Sequence, residues 1–379
     1  MHRVTFYNVG DGDSSQIVLS NGRRVMMDFH HLTKSEDGKG PEIDLCKRIR
    51  DELKESERDY LDVVAFTHGD ADHIQGAASF FELEHADCHR GDGRIKMREM
   101  WLPAAMVVED GTQTQQSSDR ILLRQEARYR LREGKGIKIF SKPELLKDWM
   151  LAQGIDFESR KHLFIDAGNV VPGFTLSEDG VEFFVHSPFV EHTDEGDDLR
   201  NSCALIFNVR FQVGGTLTNY LAVGDSTFEV LEQIVRITEY HGRGDRLQWD
   251  LFNIPHHCSY KALGPEKGIN ETIPTALIAK LLKYGSRGAY AISSSSPISN
   301  DSEAHEKKMP PHIQARRTYE RYIREINGKK FLVTMEEPHA YRPQPTTFEI
   351  GEGGCILKRV SASGAAIAVS TAPPRAGGK

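Results

Sequence analysis

Four side chains able to bind a metal ion fall within six residues: His68, Asp70, Asp72 and His73, in Thr67-His68-Gly69-Asp70-Ala71-Asp72-His73. That spacing lets one turn aim imidazole nitrogen and carboxylate oxygen at a single point, a donor mix suited to zinc, manganese or iron. Sixteen histidines in 379 residues is a high count and points the same way. The five cysteines, Cys46, Cys88, Cys203, Cys258 and Cys355, form no CxxC, so neither a zinc ribbon nor a disulfide framework is indicated. Cys258 lies in a histidine-rich stretch, as a nucleophile or as an inert small side chain. Arg120, Arg124, Arg128 and Arg132 recur every four residues and would share one helix face. From Arg120 to Lys142 there are eight basic and two acidic residues. Such a face is either solvated or able to track phosphates through counterion release.

These groups need elements to hold them. The start reads as strands: Val4 to Val9, then a GDGDSS turn, Gln16–Leu19, the hairpin signal Asn21-Gly22, and Val25–Met27. A helix is predicted over Glu42–Lys54. Leu61–Thr67 is a short apolar run, a buried strand that ends on the metal-binding motif. Residues 86–178 are polar and charged and read as an insertion carrying its own helices. Strands return at Val181–Val185, Cys203–Val209, Tyr220–Val223, Leu251–Ile254, Ala289–Ile292, Phe331–Thr334 and Thr347–Ile350. Helices are predicted near Phe228–Thr238, Thr275–Leu282 and His312–Ile326. Residues 361–379 are small and contain Pro and Gly, and are expected to be a disordered tail. Strand-rich halves of this kind predict two sheets covered by helices.

Composition narrows the class. Net charge is −7, from 48 Lys and Arg against 55 Asp and Glu, with 39% hydrophobic and 27% charged residues. That is ordinary for a globular protein and excludes a uniformly basic coating protein. No apolar run approaches a membrane span, and the first 20 residues lack a signal-peptide layout. A cytoplasmic, reducing setting without membrane partners is expected.

The motif His68-Gly69-Asp70-Ala71-Asp72-His73 resembles the HxHxDH signature of the metallo-β-lactamase superfamily, with Asp70 in place of the second His. Further segments are similar to the stand-alone soluble relatives of ComEC-like DNA-uptake proteins: Asn8-Val9-Gly10-Asp11-Gly12-Asp13-Ser14, Met27-Asp28, Asn201-Ser202-Cys203-Ala204-Leu205, Leu221-Ala222-Val223-Gly224-Asp225 and Ile254-Pro255-His256-His257-Cys258-Ser259. The resemblance covers about residues 1–85 and 180–335. It implies one hydrolase domain over 1–360, a four-layer αββα sandwich interrupted by the 86–178 insertion. It also implies two divalent ions, Zn²⁺ or Mn²⁺. His68 and Asp70 match ligands of the first ion, Asp72 and His73 match ligands of the second, Asp225 matches the bridge and His257 the last ligand. His256 matches a neighbouring histidine beside the substrate. Asp70 adds a hard oxygen donor, which brings Mn²⁺ forward beside Zn²⁺. The superfamily's additional histidine ligand has His186 and His192 as candidates, though His186 also reads as a strand-end histidine bonded to backbone. Asp13 and Asp11 line the site or make the turn, and Asp28 is placed to orient a ligating histidine.

A two-ion site implies hydrolysis with Asp72 and His256 taking part in catalysis. The branch and the arginine stripe point to a phosphodiester, hence a nuclease or phosphodiesterase. Asn201, Ser202, Ser259, Arg124 and Arg128 are its expected substrate contacts, and His312 lies near the mouth or at the surface. Two alternatives stand beside it: a hydrolase of nucleotides or other small esters, and a metal-stabilised interaction protein docking a partner through 86–178. The branch also suggests an effector in a multigene, anti-phage system.

Overall fold

The computed structural model describes residues 1–91, 93–109, 117–190 and 203–358. The expected tail, and with it His192, Asn201 and Ser202, lie outside the described residues. One sheet holds β1 (His2–Phe6), β2 (Ser15–Val18), β3 (Arg24–Met27), β4 (Tyr60–Ala65), β5 (Lys96–Pro103), β6 (Ile137–Phe140) and β7 (Phe164–Ile165). The other holds β8 (Val181–Ser187), β9 (Ile206–Val213), β10 (Thr216–Ala222), β11 (Trp249–Asn253), β12 (Gly285–Ser293) and β13 (Lys330–Val333). The chain then returns to the first sheet with β14 (Thr346–Gly351) and β15 (Gly354–Leu357). The orders are β15-β14-β1-β2-β3-β4-β5-β6-β7 and β13-β12-β11-β10-β9-β8. From β3 to β7, and from β10 to β13, the neighbours are parallel; the remaining pairs are antiparallel.

The layers follow from the two-residue period of the strands. Val25, Val63, Ala65 and Trp101 face Phe183, Phe207, Tyr220 and Ile292 between the sheets. The alternate residues Met26, Val64 and Met100 face outward onto helices at Leu45–Glu55 and Ser118–Glu133. Leu221, Phe252 and Ala291 do the same on the far side, against Phe228–Tyr240, Ala276–Lys283 and Ile313–Glu325. Parallel strands buried on both faces need apolar residues at successive positions, which is why Val63–Phe66 reads as a continuous run. The fold is a four-layer αββα sandwich.

The segment 86–178 departs from expectation. It supplies β5, β6 and β7 and the helices between them, and so completes the first sheet instead of interrupting it. The charges that disguised β5 are Lys96, Arg98 and Glu99, at the strand's start, where Lys96 and Arg98 reach Asp59 and Asp62 on neighbouring chain. The arginine stripe is corrected as well. Arg120, Arg124 and Arg130 are buried, Arg128 Nε donates to the Val107 carbonyl at 2.9 Å, and Arg124 Nη1 lies 4.0 Å from Glu109. Arg124 and Arg128 thus hold the helix to its own layer and do not present a phosphate-tracking face. Among the described residues no helix is long and apolar enough to cross a membrane.

Candidate metal centre

The chemistry collects where parallel strands of both sheets end, the usual place for a site in such sheets. β3 leads into Asp28, β4 into Thr67 and His68, β10 into Asp225, β11 into His256 and His257, and β12 into Ser294. Asp72, His73, Asp225 and His257 offer ligand atoms that all lie within 4.8 Å of one another. His73 Nε2 is 3.1 Å from Asp225 Oδ1, and His257 Nε2 is 3.1 Å from Asp72 Oδ2 and 3.6 Å from Asp225 Oδ2. Asp225, His73 and His257 are buried, while the Asp72 side chain is 36% exposed and marks the open side.

Three histidines are oriented alike. His257 Nδ1 donates to the Ser294 carbonyl at 2.7 Å, and His73 Nδ1 donates to Asp28 Oδ2 at 2.8 Å. Thr67 Oγ1 gives its proton to Asp28 Oδ2 at 2.6 Å and accepts from His68 Nδ1 at 3.1 Å. Each ring therefore turns an Nε2 lone pair toward the cluster, the arrangement that fixes metal-binding histidines. His68 Nε2 is buried without a hydrogen-bond partner. Lone pairs set against carboxylates repel unless a proton or a cation lies between them. Burial works against a charge on His257, yet Asp225 and Asp72 raise it to about 10. Burial likewise opposes the charge on His73, and Asp225 and Asp28 hold it well above the usual range. Asp225 is held well below the carboxylate range, against burial, by His257 and His73. Two imidazoles and two carboxylates facing one another at this range fit one divalent ion.

The backbone is bent to make this fit. His256, His257 and Cys258 have φ of 51°, 51° and 65°, three non-glycine residues in the left-handed region. Such residues cost of order 1 kcal/mol each and concentrate at functional sites. The turn is pinned by Gly224 carbonyl to His256 N–H (3.2 Å) and Cys258 carbonyl to His312 N–H (3.1 Å). Asp28, at φ 56°, accepts from Thr67 N–H at 2.7 Å as well as from Thr67 Oγ1 and His73.

The other expected residues are placed as follows. His256 lies at the rim, its Nε2 3.8 Å from Asp225 Oδ2. Asp13 is buried beside Asp28 and His73, and burial raises its carboxyl. Asp11 accepts from Ser296 N–H at 2.7 Å and makes a loop contact. Asp70 stands outside the four-residue group, 3.4 Å from Arg120 Nη1. His186 is no ligand: its Nε2 donates to the Arg246 carbonyl (3.0 Å) and its Nδ1 accepts from Thr238 Oγ1 (3.2 Å). Ser259 is buried and caps the following turn at Lys261 N–H. His312 is buried too, its Nδ1 accepting from Tyr260 N–H. Burial raises the Cys258 thiol, and it packs as a small core residue. Missed by the sequence reading is His30, buried, with Nδ1 unpartnered, and electrostatically coupled to Asp72, His73 and His257. Its signal was Gly12: a Cβ there would come within 2.6 Å of the His30 ring and 2.8 Å of the Asp72 carbonyl.

No family model and no curated protein matches the chain. Solved structures similar to it include a diphosphatase of the PhnP family, 10% identical, covering 94% of this chain and 100% of that one, at a TM-score of 0.36. A long-form RNase Z from yeast is 10% identical over 88% of this chain and 40% of that one, at 0.35. A class B3 di-zinc metallo-β-lactamase from an Alaskan soil metagenome is 12% identical over 65% and 76%, at 0.30. Likenesses this weak assign no residue a role.

Proposed function

We propose that the chain is a metal-dependent hydrolase acting on a phosphodiester. The observation that supports it most is the convergence of Asp72, His73, Asp225 and His257 from two sheets within 4.8 Å. A divalent ion held there supplies Lewis acidity and brings the pKa of water toward neutrality. The protein's own part is orientation. Asp28, Thr67 and the Ser294 carbonyl fix the imidazoles, so little reorganisation accompanies the reaction. His256, at the rim with Nε2 toward Asp225, moves the proton to the leaving oxygen.

A phosphodiester rests on the ComEC-like resemblance, and the donor set of two carboxylates and two imidazoles is compatible with it. With Arg124 and Arg128 turned into the fold, a nucleotide-sized substrate gains on a long polyanion. Neither a role in a defence system nor a docking partner on 86–178 is proposed. The test is turnover of bis(p-nitrophenyl) phosphate against p-nitrophenyl acetate, with Mn²⁺ and with Zn²⁺. Asp225→Asn and His257→Ala should drop phosphodiester turnover to background. Turnover of the acetate alone, or turnover indifferent to both variants, overturns the reading.

A further inference from the structure

A two-ion site needs His68, Asp70 and a further imidazole around the first ion. Among the described residues, the structure commits one of these three elsewhere and ties a second to a cation. His186, the described candidate for the imidazole, has both ring nitrogens bonded to Arg246 and Thr238. Asp70 Oδ1 lies 3.4 Å from Nη1 of Arg120, whose side chain is only 8% exposed, while Asp70 Oδ2 stays 3.8 Å from His68 Nε2. Arg120 is itself clamped by Glu109, through Nε to Oε2 at 2.6 Å and Nη2 to Oε1. The guanidinium lies flat on the metal-binding loop: a Cβ on Gly69 would come within 3.0 Å of its Nε and 3.2 Å of its Cζ. Helix Ser118–Glu133 fixes that position, because Asp119 next door accepts from Gly76 and Ala78 N–H at 3.1 and 2.9 Å. The cation is therefore built in and cannot swing away alone.

We propose that Arg120 takes the place of the first ion, the one that His68 and Asp70 would hold. It holds Asp70 as an ion pair, sets a permanent positive charge against the carboxylate that faces His68, and leaves a one-ion site. Like charges at such short range and partial burial repel strongly, so a second divalent ion is excluded while Arg120 stays. This rests on the reading of Asp72, His73, Asp225 and His257 as the ion's ligands. It makes Arg120 a positioning residue.

Mn²⁺ is the probe, because the softer group His31, Asp44 and Cys46 would also take up zinc. Binding to the full chain is measured by titration calorimetry, and the bound ion by electron paramagnetic resonance. The intact protein should bind one Mn²⁺ with the signal of an isolated ion. Asp70→Asn should keep that ion with affinity within about threefold. Arg120→Met should bind a second Mn²⁺ and show an exchange-coupled pair. Two coupled ions in the intact protein, or loss of an ion in Asp70→Asn, overturns the proposal; so does a folded Arg120→Met that stays at one. If Arg120→Met does not fold, the Asp70→Asn comparison decides. Absence of any Mn²⁺ from the intact protein overturns the metal reading itself, and the two failures are thereby told apart.

Discussion

Asp28 shows how much of the centre depends on a residue that touches no substrate. One carboxylate receives Thr67 N–H, Thr67 Oγ1 and His73 Nδ1. Asn tolerates the left-handed φ of 56° there but cannot accept at both side-chain atoms. Asp28→Asn should therefore weaken Mn²⁺ binding about 10- to 100-fold with the fold intact, as read by calorimetry. His186 gives a pH prediction away from the metal. Burial lowers it to about 4, against 6.5 in the unfolded chain. Between those values the unfolded state binds the proton and the folded state does not. Stability is thus complete above pH 6.5 and falls as pH drops toward 4, by at most about 1.4 kcal/mol per pH unit from this group. Urea unfolding at pH 7 and pH 5 should show a smaller difference in His186→Gln than in the intact protein; an equal difference refutes the assignment.

The helix Ser118–Glu133 is where sequence and structure part most clearly. Its arginine spacing was legible, but the direction of the face was not, because the acidic partners lie far off in sequence. Glu126 is fully buried and meets Arg130 Nε at 2.6 Å and His85 N–H at 3.0 Å. Removing it leaves the buried Arg130 guanidinium with only the half-exposed Glu84, 3.5 Å from Nη2, as counter-charge, so Glu126→Ala should cost about 3 kcal/mol in urea unfolding. A cost under about 1 kcal/mol would mean the helix face is solvated after all. The strands flanking the site were readable for the opposite reason. Val63, Val64 and Ala65 are buried on both faces and leave an unbroken apolar run, as do Leu221 and Ala222. Asp28, Asp72, His73 and His257 could be named before the fold was known, since each follows such a run in a local motif. His30 could not, and Arg120 could be named only as part of a stripe, because what they meet is set by tertiary packing.

At the scale of the whole molecule, the proposed ion site draws its ligands from both sheets. Asp72 and His73 follow β4 of one sheet, and Asp225 and His257 follow β10 and β11 of the other. An ion that binds only when both are docked stabilises the folded state by mass action, about 2.7 kcal/mol at a hundredfold excess over Kd. Mn²⁺ should raise the unfolding midpoint and a chelator should reverse it; in Asp225→Asn neither should act. The same topology has a bearing on synthesis. β1 pairs with β14, so His2 meets Ile350, and the strand made first waits for one of the last. On the ribosome, the HGDADH loop emerges more than 180 residues ahead of His257. A nascent chain therefore carries half a binding site until His257 is made and one unpaired β1 edge until β14 is made, exposed to the pairing that chaperones guard against. Metal capture is in this sense a late event, reserved for a chain that has already delivered β11 and His257.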